Sequence, residues 1–248
     1  MKDMNWYQKI IYVLTFPFTF LFVIFPNAVD RWIFRFQSRK FRLTRPNCLF
    51  LINPSSGARL GEKIIRIVKT LKRPDNMAID IFKENIVERV KEALASNEEP
   101  WHLIICGGDG TISTVVDKME RDLPETARDR IIYVPMALGT GNDMSRTLGF
   151  GGMVGLNFVN KFFNKIDSPR TSVVKMDRWN ARVMLPHSDN PLIDVNWMLY
   201  LGIGFDGQSS YTFDLLRKKI PWFFHSNVDL PDSKQNILPS RLHIPLRI

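Results

Sequence analysis

The stretch from residue 101 to residue 120, WHLIICGGDGTISTVVDKME, constrains the fold more than any other part of the chain. Its apolar residues 103–106 predict a strand buried on both faces, and the glycine-rich turn 107–111 follows directly. Apolar residues then recur with the i, i+3, i+4, i+7 spacing of a helix, at Ile112, Val115, Val116 and Met119. A strand, a glycine turn and a helix N-terminus in this order point free backbone N–H groups at an anion.

Asp109 is the unusual residue of this turn. A carboxylate repels a phosphate unless a divalent cation lies between them or the carboxylate accepts a hydrogen bond from a hydroxyl. The plainer alternative is a tight turn in which Asp109 and Thr111 only cap the helix. The turn therefore predicts either a cation-assisted phosphate site or a simple capped helix.

Alternating strands and helices are predicted on both sides of this stretch. Residues 48–52, 77–82 and 130–135 are short apolar runs that predict strands. Helical spacing follows the first two of them, over residues 64–71 and 86–94. Strands that alternate with helices are typical of βαβ units, so the sequence predicts an α/β fold with a mostly parallel, open sheet.

Three polar loops that contain glycine follow predicted strands. Loop 1 is residues 53–57 (NPSSG), loop 2 is residues 107–111 (GGDGT), and loop 3 is residues 139–143 (GTGND). Open α/β sheets bind ligands at the carboxyl ends of their strands. We therefore expect the three loops to meet at one edge of the sheet and to form a single site, with Ser55, Ser56 and Arg59 near loop 1 available to a phosphate.

Composition narrows the class of partner. The formal net charge is +9, which suits an anionic membrane, a nucleic acid or a phosphorylated ligand. No nucleic-acid-binding motif occurs, and the aromatic residues do not form a stacking platform with the basic ones, so we expect no nucleic acid partner. Cys48 and Cys106 lie in or beside apolar runs, which predicts buried free thiols and a reducing compartment. The four histidines lack metal-ligand spacing, so no zinc site is expected.

The first 45 residues predict attachment to a membrane. Residues 10–25 carry no charge, but they fall short of the ~20 residues that span a bilayer, and Pro17 interrupts them. Residues 30–45 hold six Arg and Lys residues against one Asp, with aromatic residues among them. This order favours a membrane anchor whose basic flank, and the domain after it, face the cytosol. A re-entrant or tilted insertion fits as well as a span, and a signal peptide or a buried core helix is the alternative.

The three loops resemble those of the diacylglycerol kinases, within a larger group of lipid kinases. The matching elements are NPSSG with Gly61, GGDGT, and LGTGNDMSR at residues 138–146, of which the last is the most specific. Residues 175–179 (KMDRW) and 200–207 (YLGIGFDG) are similar to the opening segments of that family's accessory domain, and residues 217–219 fit a helix there. The resemblance covers residues 46–225. Sphingosine and ceramide kinases differ at loops 2 and 3, and NAD kinases lack LGTGND followed by this accessory pattern.

The resemblance implies transfer of the γ-phosphate of ATP to the hydroxyl of diacylglycerol, with Mg²⁺, to give phosphatidic acid. Asp109 and Asp143 are the implied catalytic carboxylates, and Asp109 is the implied Mg²⁺ ligand. The implied nucleotide-binding residues come from all three loops: Asn53, Ser56, Gly57, Gly107, Gly108, Asp109, Gly110, Thr111, Gly139, Thr140, Gly141 and Asn142.

The expected organisation has three parts: an anchor with its basic flank (residues 1–45), an α/β catalytic domain (46–170) and a partial, β-rich accessory domain (171–248). Residues 171–185 and 196–204 predict strands of the accessory domain, and residues 208–218 predict a helix.

The family's general base lies on an Asp-Gly-Glu-like turn in the later part of the accessory domain. Residues 227–248 contain no family motif, and Asp206 is the nearest carboxylate that the sequence offers. The sequence therefore predicts a truncated isoform, a fragment or an incomplete gene model. The alternatives are a kinase of another lipid hydroxyl, of the sphingosine or ceramide type, and a catalytically incomplete nucleotide- or lipid-binding isoform.

Overall fold

The centre of the fold is a parallel sheet whose strands stand in the order β2-β1-β3-β4. Its strands are β1 (Cys48–Ile52), β2 (Ala78–Asp80), β3 (Trp101–Gly107) and β4 (Ile131–Ala137). β1, β3 and β4 are buried along almost their whole length, which explains their continuous apolar sequences. The predicted α/β fold with a mostly parallel sheet is therefore confirmed.

Helices cover this sheet. They are α1 (Ser56–Thr70), α2 (Ile86–Ser96), α3 (Asp109–Asp122), α4 (Glu125–Arg128), α5 (Asp143–Thr147) and α6 (Asn157–Asp167). The buried residues of α3 are the four that the helical spacing singled out. The N-terminus of α2 is capped by Asn85, whose Oδ1 accepts the N–H of Val87 at 3.2 Å. The predicted burial of Cys48 and Cys106 is confirmed, and neither thiol is in a disulfide bond.

Helix α6 closes the core on the side of β1. Phe163 of α6 contacts Phe50 of β1 edge to face, with ring centroids 6.0 Å apart. At the end of the same helix, the carboxylate of Asp167 accepts the backbone N–H groups of Thr44 and Arg45, both at 2.8 Å. The segment that leads into β1 is thus fixed to α6.

The chain after α6 forms a smaller, partly separate set of elements. They are β5 (Val174–Lys175), β6 (Trp179–Met184), β7 (Pro191–Trp197), α7 (Phe205–Lys219) and β8 (Leu246–Arg247). β6 and β7 make a two-stranded antiparallel sheet, while β8 pairs with β4 and β5. A small antiparallel sheet and the predicted helix are therefore present.

Two strand predictions in this region are wrong in their bounds. The single strand predicted over residues 171–185 is divided into β5 and β6. The strand predicted over residues 196–204 ends at Trp197 and begins earlier, at Pro191. β7 pairs with β6 from Trp197 back to Pro191, whereas Gly204 has a φ of 73°, which lies outside the β region.

The computed structural model describes residues 41–71, 77–139, 141–152, 157–187, 189–220 and 246–247. The chain divides into two compact units, Met1–Phe41 and Arg42–Ile248. The apolar segment 10–25 lies outside the described residues. Within the residues that are described, no helix has the length and apolar character to cross a membrane.

Candidate nucleotide and phosphate site

The three polar loops lie at one edge of the sheet, as predicted. Loop 1 follows β1, loop 2 follows β3 and loop 3 follows β4, and these strands are neighbours. Asn53 joins loop 1 to the others: its N–H donates to the carbonyl of Cys106 at 3.0 Å, and its Nδ2 donates to Oγ1 of Thr111 at 3.2 Å. The N–H of Leu138 donates to the carbonyl of Gly107 at 2.9 Å. The topology thus brings the three loops together.

Asp109 joins loop 2 to loop 3 with both of its carboxylate oxygens. Oδ2 accepts the N–H of Asp143 at 2.9 Å, and Oδ1 accepts the N–H of Met144 at 3.1 Å. In return, the N–H of Asp109 donates to the carbonyl of Gly141 at 3.1 Å. A carboxylate is stable here because the N-terminal N–H groups of α5 point at it. Asp109 therefore caps a helix, but the helix is α5 and not the one that it begins.

Two glycines allow loops 2 and 3 to touch. A Cβ on Gly139 would lie 2.4 Å from the Cα of Gly108, and a Cβ on Gly108 would lie 2.9 Å from the carbonyl oxygen of Gly141. Neither neighbour is a flexible side chain that could move away. Gly110 differs, because a Cβ there would meet no atom within 4 Å. Packing therefore explains the glycines at 108 and 139, and it leaves open space beside Gly110 in the first turn of α3.

Asn142 closes loop 3 on itself. Its Oδ1 accepts the N–H of Gly139 at 3.0 Å, and its Nδ2 donates to the carbonyl of the same residue at 2.6 Å. The side chain is buried with only 5% exposed. Ser145, which the sequence did not single out, lies in α5, the helix that begins in loop 3. Its Oγ donates to the carbonyl of Gly151 at 2.8 Å. Thr140 lies outside the described residues.

Loop 1 is shaped by Asn53 and by a close helix approach. Oδ1 of Asn53 accepts the N–H of Ser55 at 3.0 Å, and a Cβ on Gly61 would lie 2.1 Å from the Asn53 carbonyl oxygen. Ser56 is the first residue of α1, and Gly57 follows it with a φ of 62°. Arg59, which the sequence offered to a phosphate, instead pairs with Glu62 at 2.8 Å.

Asp143 is the second carboxylate of the site, and its two oxygens have different partners. Oδ1 accepts from Nη1 of Arg146 at 3.3 Å, and Oδ2 accepts the hydroxyl of Tyr200 at 3.3 Å. The charge of Asp143 is the main reason that the pKa of Tyr200 lies above its usual value, followed by burial, by the hydrogen bond itself and by the charge of Asp109. Both carboxylates therefore act on the same hydroxyl. The contact with Tyr200 was not predicted.

The model of the diacylglycerol kinase catalytic domain family matches residues 47–172, which include the central sheet and all three loops. The chain belongs to this family.

Individual diacylglycerol kinases are similar over more of the chain. "Probable diacylglycerol kinase 3" of Caenorhabditis elegans is 29% identical over 191 residues, which cover 73% of this chain and 23% of that protein. "Diacylglycerol kinase 1" of Drosophila melanogaster is 34% identical over 160 residues, covering 62% and 13%. "Diacylglycerol kinase 2" of Arabidopsis thaliana is 30% identical over 191 residues, covering 73% and 25%. The matches thus span a quarter or less of these curated relatives. No solved structure matches the chain.

The residues at the edge of the sheet fit the ATP and divalent metal that a kinase domain implies. Among the side chains that the structure describes, no group of three or more His, Cys, Asp and Glu could hold a metal alone. Mg²⁺ does not need one, because it is commonly bound by one or two carboxylates together with substrate phosphates. Asp109 and Asp143 are two carboxylates at this edge, and Gly110, where a Cβ would meet no atom within 4 Å, lies in the first turn of α3.

Cavities lie at the opposite edge of the sheet, around the beginnings of β1 and β3. Their volumes are about 380 and 510 Å³, and no residue of loops 1 to 3 lines them. His102 borders the larger cavity, with Nε2 3.4 Å from Nη1 of Arg45. Burial first, and the charge of Arg45 second, lower the pKa of His102 to about 4. The two cavities are therefore separate from the three loops.

Proposed function

We propose that this chain is the catalytic region of an ATP-dependent diacylglycerol kinase, which transfers the γ-phosphate of ATP to diacylglycerol and gives phosphatidic acid. The observation that carries the proposal is the pair of hydrogen bonds that the Asp109 carboxylate accepts from the N-terminus of α5. It assembles loops 2 and 3 into one polar edge in a chain of the diacylglycerol kinase catalytic domain family. Such an activity would belong to lipid metabolism and lipid signalling.

The proposed roles follow from what phosphoryl transfer requires, which is mostly positioning and neutralisation of charge. The backbone N–H groups of loop 2, at the beginning of α3, would bind phosphate oxygens. Asp109 and Asp143 would hold Mg²⁺, which when bound neutralises negative charge on the transferred group. Asn53 and Asn142 shape loops 1 and 3 through the hydrogen bonds described above, and so keep these groups in place.

Phosphate transfer in mixed micelles tests the proposal. The chain is incubated with radiolabelled ATP, Mg²⁺ and micelles that contain diacylglycerol, sphingosine or ceramide. We expect labelled phosphatidic acid, its loss when Mg²⁺ is chelated, and its loss in Asp109→Ala. Asp122→Ala, which removes an exposed carboxylate at the far end of α3, is the control and should keep activity. Label only in a sphingoid lipid would establish the other lipid kinase, and a chain without label in any lipid would contradict the proposal.

We also propose that the chain works at an anionic membrane with its catalytic region on the cytosolic side. The uncharged residues 10–25 and the basic residues 30–45 support attachment. Apolar side chains that follow Tyr200 support access to a lipid, because Leu201, Ile203 and Phe205 are exposed on the segment that contacts Asp143.

Flotation with vesicles tests the membrane proposal. The intact chain should float with vesicles of phosphatidylcholine and phosphatidylserine more than with phosphatidylcholine alone. Deletion of residues 1–26 should release it, whereas equal flotation of the deleted and intact chains would contradict the anchor. Melting curves of the two chains show whether the deleted chain remains folded.

A further inference from the structure

Tyr200 brings the segment after β7 into contact with loop 3. Its hydroxyl oxygen lies 3.3 Å from Oδ2 of Asp143, although 69% of the side chain is exposed to solvent. The residue lies outside the matched family region 47–172, and the site's other contacts lie within it. The catalytic fold therefore receives one contribution from beyond its own sheet.

The phenol is the donor in this contact. An ionised carboxylate can only accept hydrogen bonds, so the proton stands on Tyr200. The charges of Asp143 and Asp109 help to raise the pKa of Tyr200 above its usual value of about 10. The hydroxyl thus remains a donor throughout the neutral range.

An ion pair connects an earlier part of the same segment to α3. Arg178, whose side chain is 8% exposed, contacts the carboxylates of Asp117 and Glu120. Both carboxylates belong to α3, the helix that begins at Asp109. The ion pair of Arg178 therefore connects the start of the smaller sheet to the helix that begins in loop 2.

The two-stranded sheet connects this ion pair to Tyr200. Trp179, the residue after Arg178, pairs with Trp197 at the end of β7, three residues before Tyr200. A tyrosine that followed a free loop would sample many positions, whereas this one follows a strand whose partner is fixed to α3. The geometry explains how an exposed side chain keeps a defined contact.

The contact completes the set of hydrogen bonds that orients Asp143. Its N–H is bound by Asp109, Oδ1 is bound by Arg146, and Oδ2 is bound by Tyr200. Removal of the hydroxyl would leave one oxygen with no fixed donor among these three. The carboxylate could then rotate away from the phosphate side of the loops.

We propose that Tyr200 is a positioning residue for phosphate transfer, whose hydroxyl holds the Asp143 carboxylate in its working orientation. This inference rests on the proposed kinase function. Tyr200 acts through Asp143 and not on the nucleotide, so its loss should lower kcat and leave the KM for ATP almost unchanged.

Kinetics of Tyr200→Phe test the role. The variant removes only the hydroxyl, and we expect kcat to fall roughly 3- to 10-fold, the size expected for the net contribution of one ordinary hydrogen bond, since the site is partly exposed. The KM for ATP should change less than about twofold, because ground-state binding does not use the hydroxyl. Tyr211→Phe is the matched control, since Tyr211 lies on α7 with 61% exposed and should keep wild-type kcat. An unchanged kcat in Tyr200→Phe would overturn the proposal. A change confined to the KM for ATP or to the KM for diacylglycerol would overturn it as well.

A second measurement does not depend on activity. Urea denaturation gives the free energies of unfolding of wild type, Tyr200→Phe, Asp143→Asn and the double variant. The double variant should lose less stability than the sum of the two single losses, because both single variants change the same hydrogen bond. Additive losses would overturn the contact. A wild-type chain that transfers no phosphate would overturn the kinase function and the kinetic role together, while the double-mutant cycle would still decide whether the contact exists.

Discussion

The Asp109 carboxylate holds loop 3 against loop 2 through the N–H groups of Asp143 and Met144. A carboxylate in the centre of a glycine-rich loop is puzzling when only neighbouring residues are considered. The structure explains why a carboxylate stands here, because it faces the N-terminus of α5, a helix that begins in another loop. Each oxygen accepts one backbone hydrogen bond, and a carboxylate oxygen has a second lone pair for a cation.

Asp109→Ala should lower the free energy of unfolding by about 1–2 kcal/mol, because it removes a helix cap made of two charge-assisted hydrogen bonds. Urea denaturation measures the change. Asp122→Ala should change stability by less than about 0.5 kcal/mol, since its surface partner is the adjacent Arg121. Equal stability of Asp109→Ala and wild type would mean that the contacts between the two loops do not stabilise the fold.

The lowered pKa of His102 predicts that the folded protein loses stability in acid. Its pKa is about 4 in the folded protein and about 6.5 in the unfolded chain, so between these values the unfolded chain binds more protons. Stability should therefore fall as the pH drops from about 6.5 to about 4, by a few kcal/mol at most. Urea denaturation across this range should give a flatter profile for His102→Gln. His187→Gln, a change at an exposed histidine, should keep the wild-type slope, and identical slopes in all three proteins would contradict the prediction.

Among the elements, the strands of the central sheet and helices α1 to α3 could be predicted from sequence. β1, β3 and β4 are buried on both faces and so are continuously apolar, and α3 has one buried stripe with the period of a helix. Helix α5 could not be predicted in this way, because it is five residues long and is capped by Asp109 from a distant loop. Its existence depends on tertiary contact.

The strand predicted at residues 196–204 shows that an apolar run alone does not determine where a strand begins and ends. The apolar run there favoured a strand, but the pairing partner decides where a strand lies. β6 pairs with residues 191–197, and Arg182 on β6 binds Asp194 on β7 at 3.1 Å. Cross-strand pairs of this kind cannot be recognised before the register is known. Helix α6 was also missed, although its phenylalanines have helical spacing.

The ion pair between Arg178 and α3 should stabilise the whole second set of elements. Arg178→Ala should lower the free energy of unfolding by about 2 kcal/mol, because it removes the guanidinium that contacts the carboxylates of Asp117 and Glu120. Arg182→Ala is the control, since its side chain is 60% exposed and such pairs contribute less than about 1 kcal/mol. Urea denaturation of the two variants compares them. Similar small losses in both would show that the ion pair to α3 is no stronger than a surface pair.

At the scale of the whole molecule, the position of the site followed from topology. Parallel strands end at the same edge, so three loops after β1, β3 and β4 had to lie together. The roles of single residues did not follow. Asn142 fills its hydrogen bonds within loop 3, and Tyr200 reaches Asp143 from a segment far along the chain. Contacts between distant segments leave no local pattern, which is why the sequence did not reveal them.

If the three loops form one phosphate-binding site, a substitution at Gly110 should show it most directly. Gly110→Ala adds a methyl group that meets no protein atom, so the variant should be at least as stable as wild type. If phosphate occupies that space, the methyl group should weaken binding of a non-hydrolysable ATP analogue with Mg²⁺ at least tenfold, or about 1.4 kcal/mol, by isothermal titration calorimetry. Gly139→Ala should instead lose stability, because its Cβ meets the backbone of Gly108. A stable Gly110→Ala protein that binds the analogue as tightly as wild type, or a wild-type chain that does not bind it, would contradict the account.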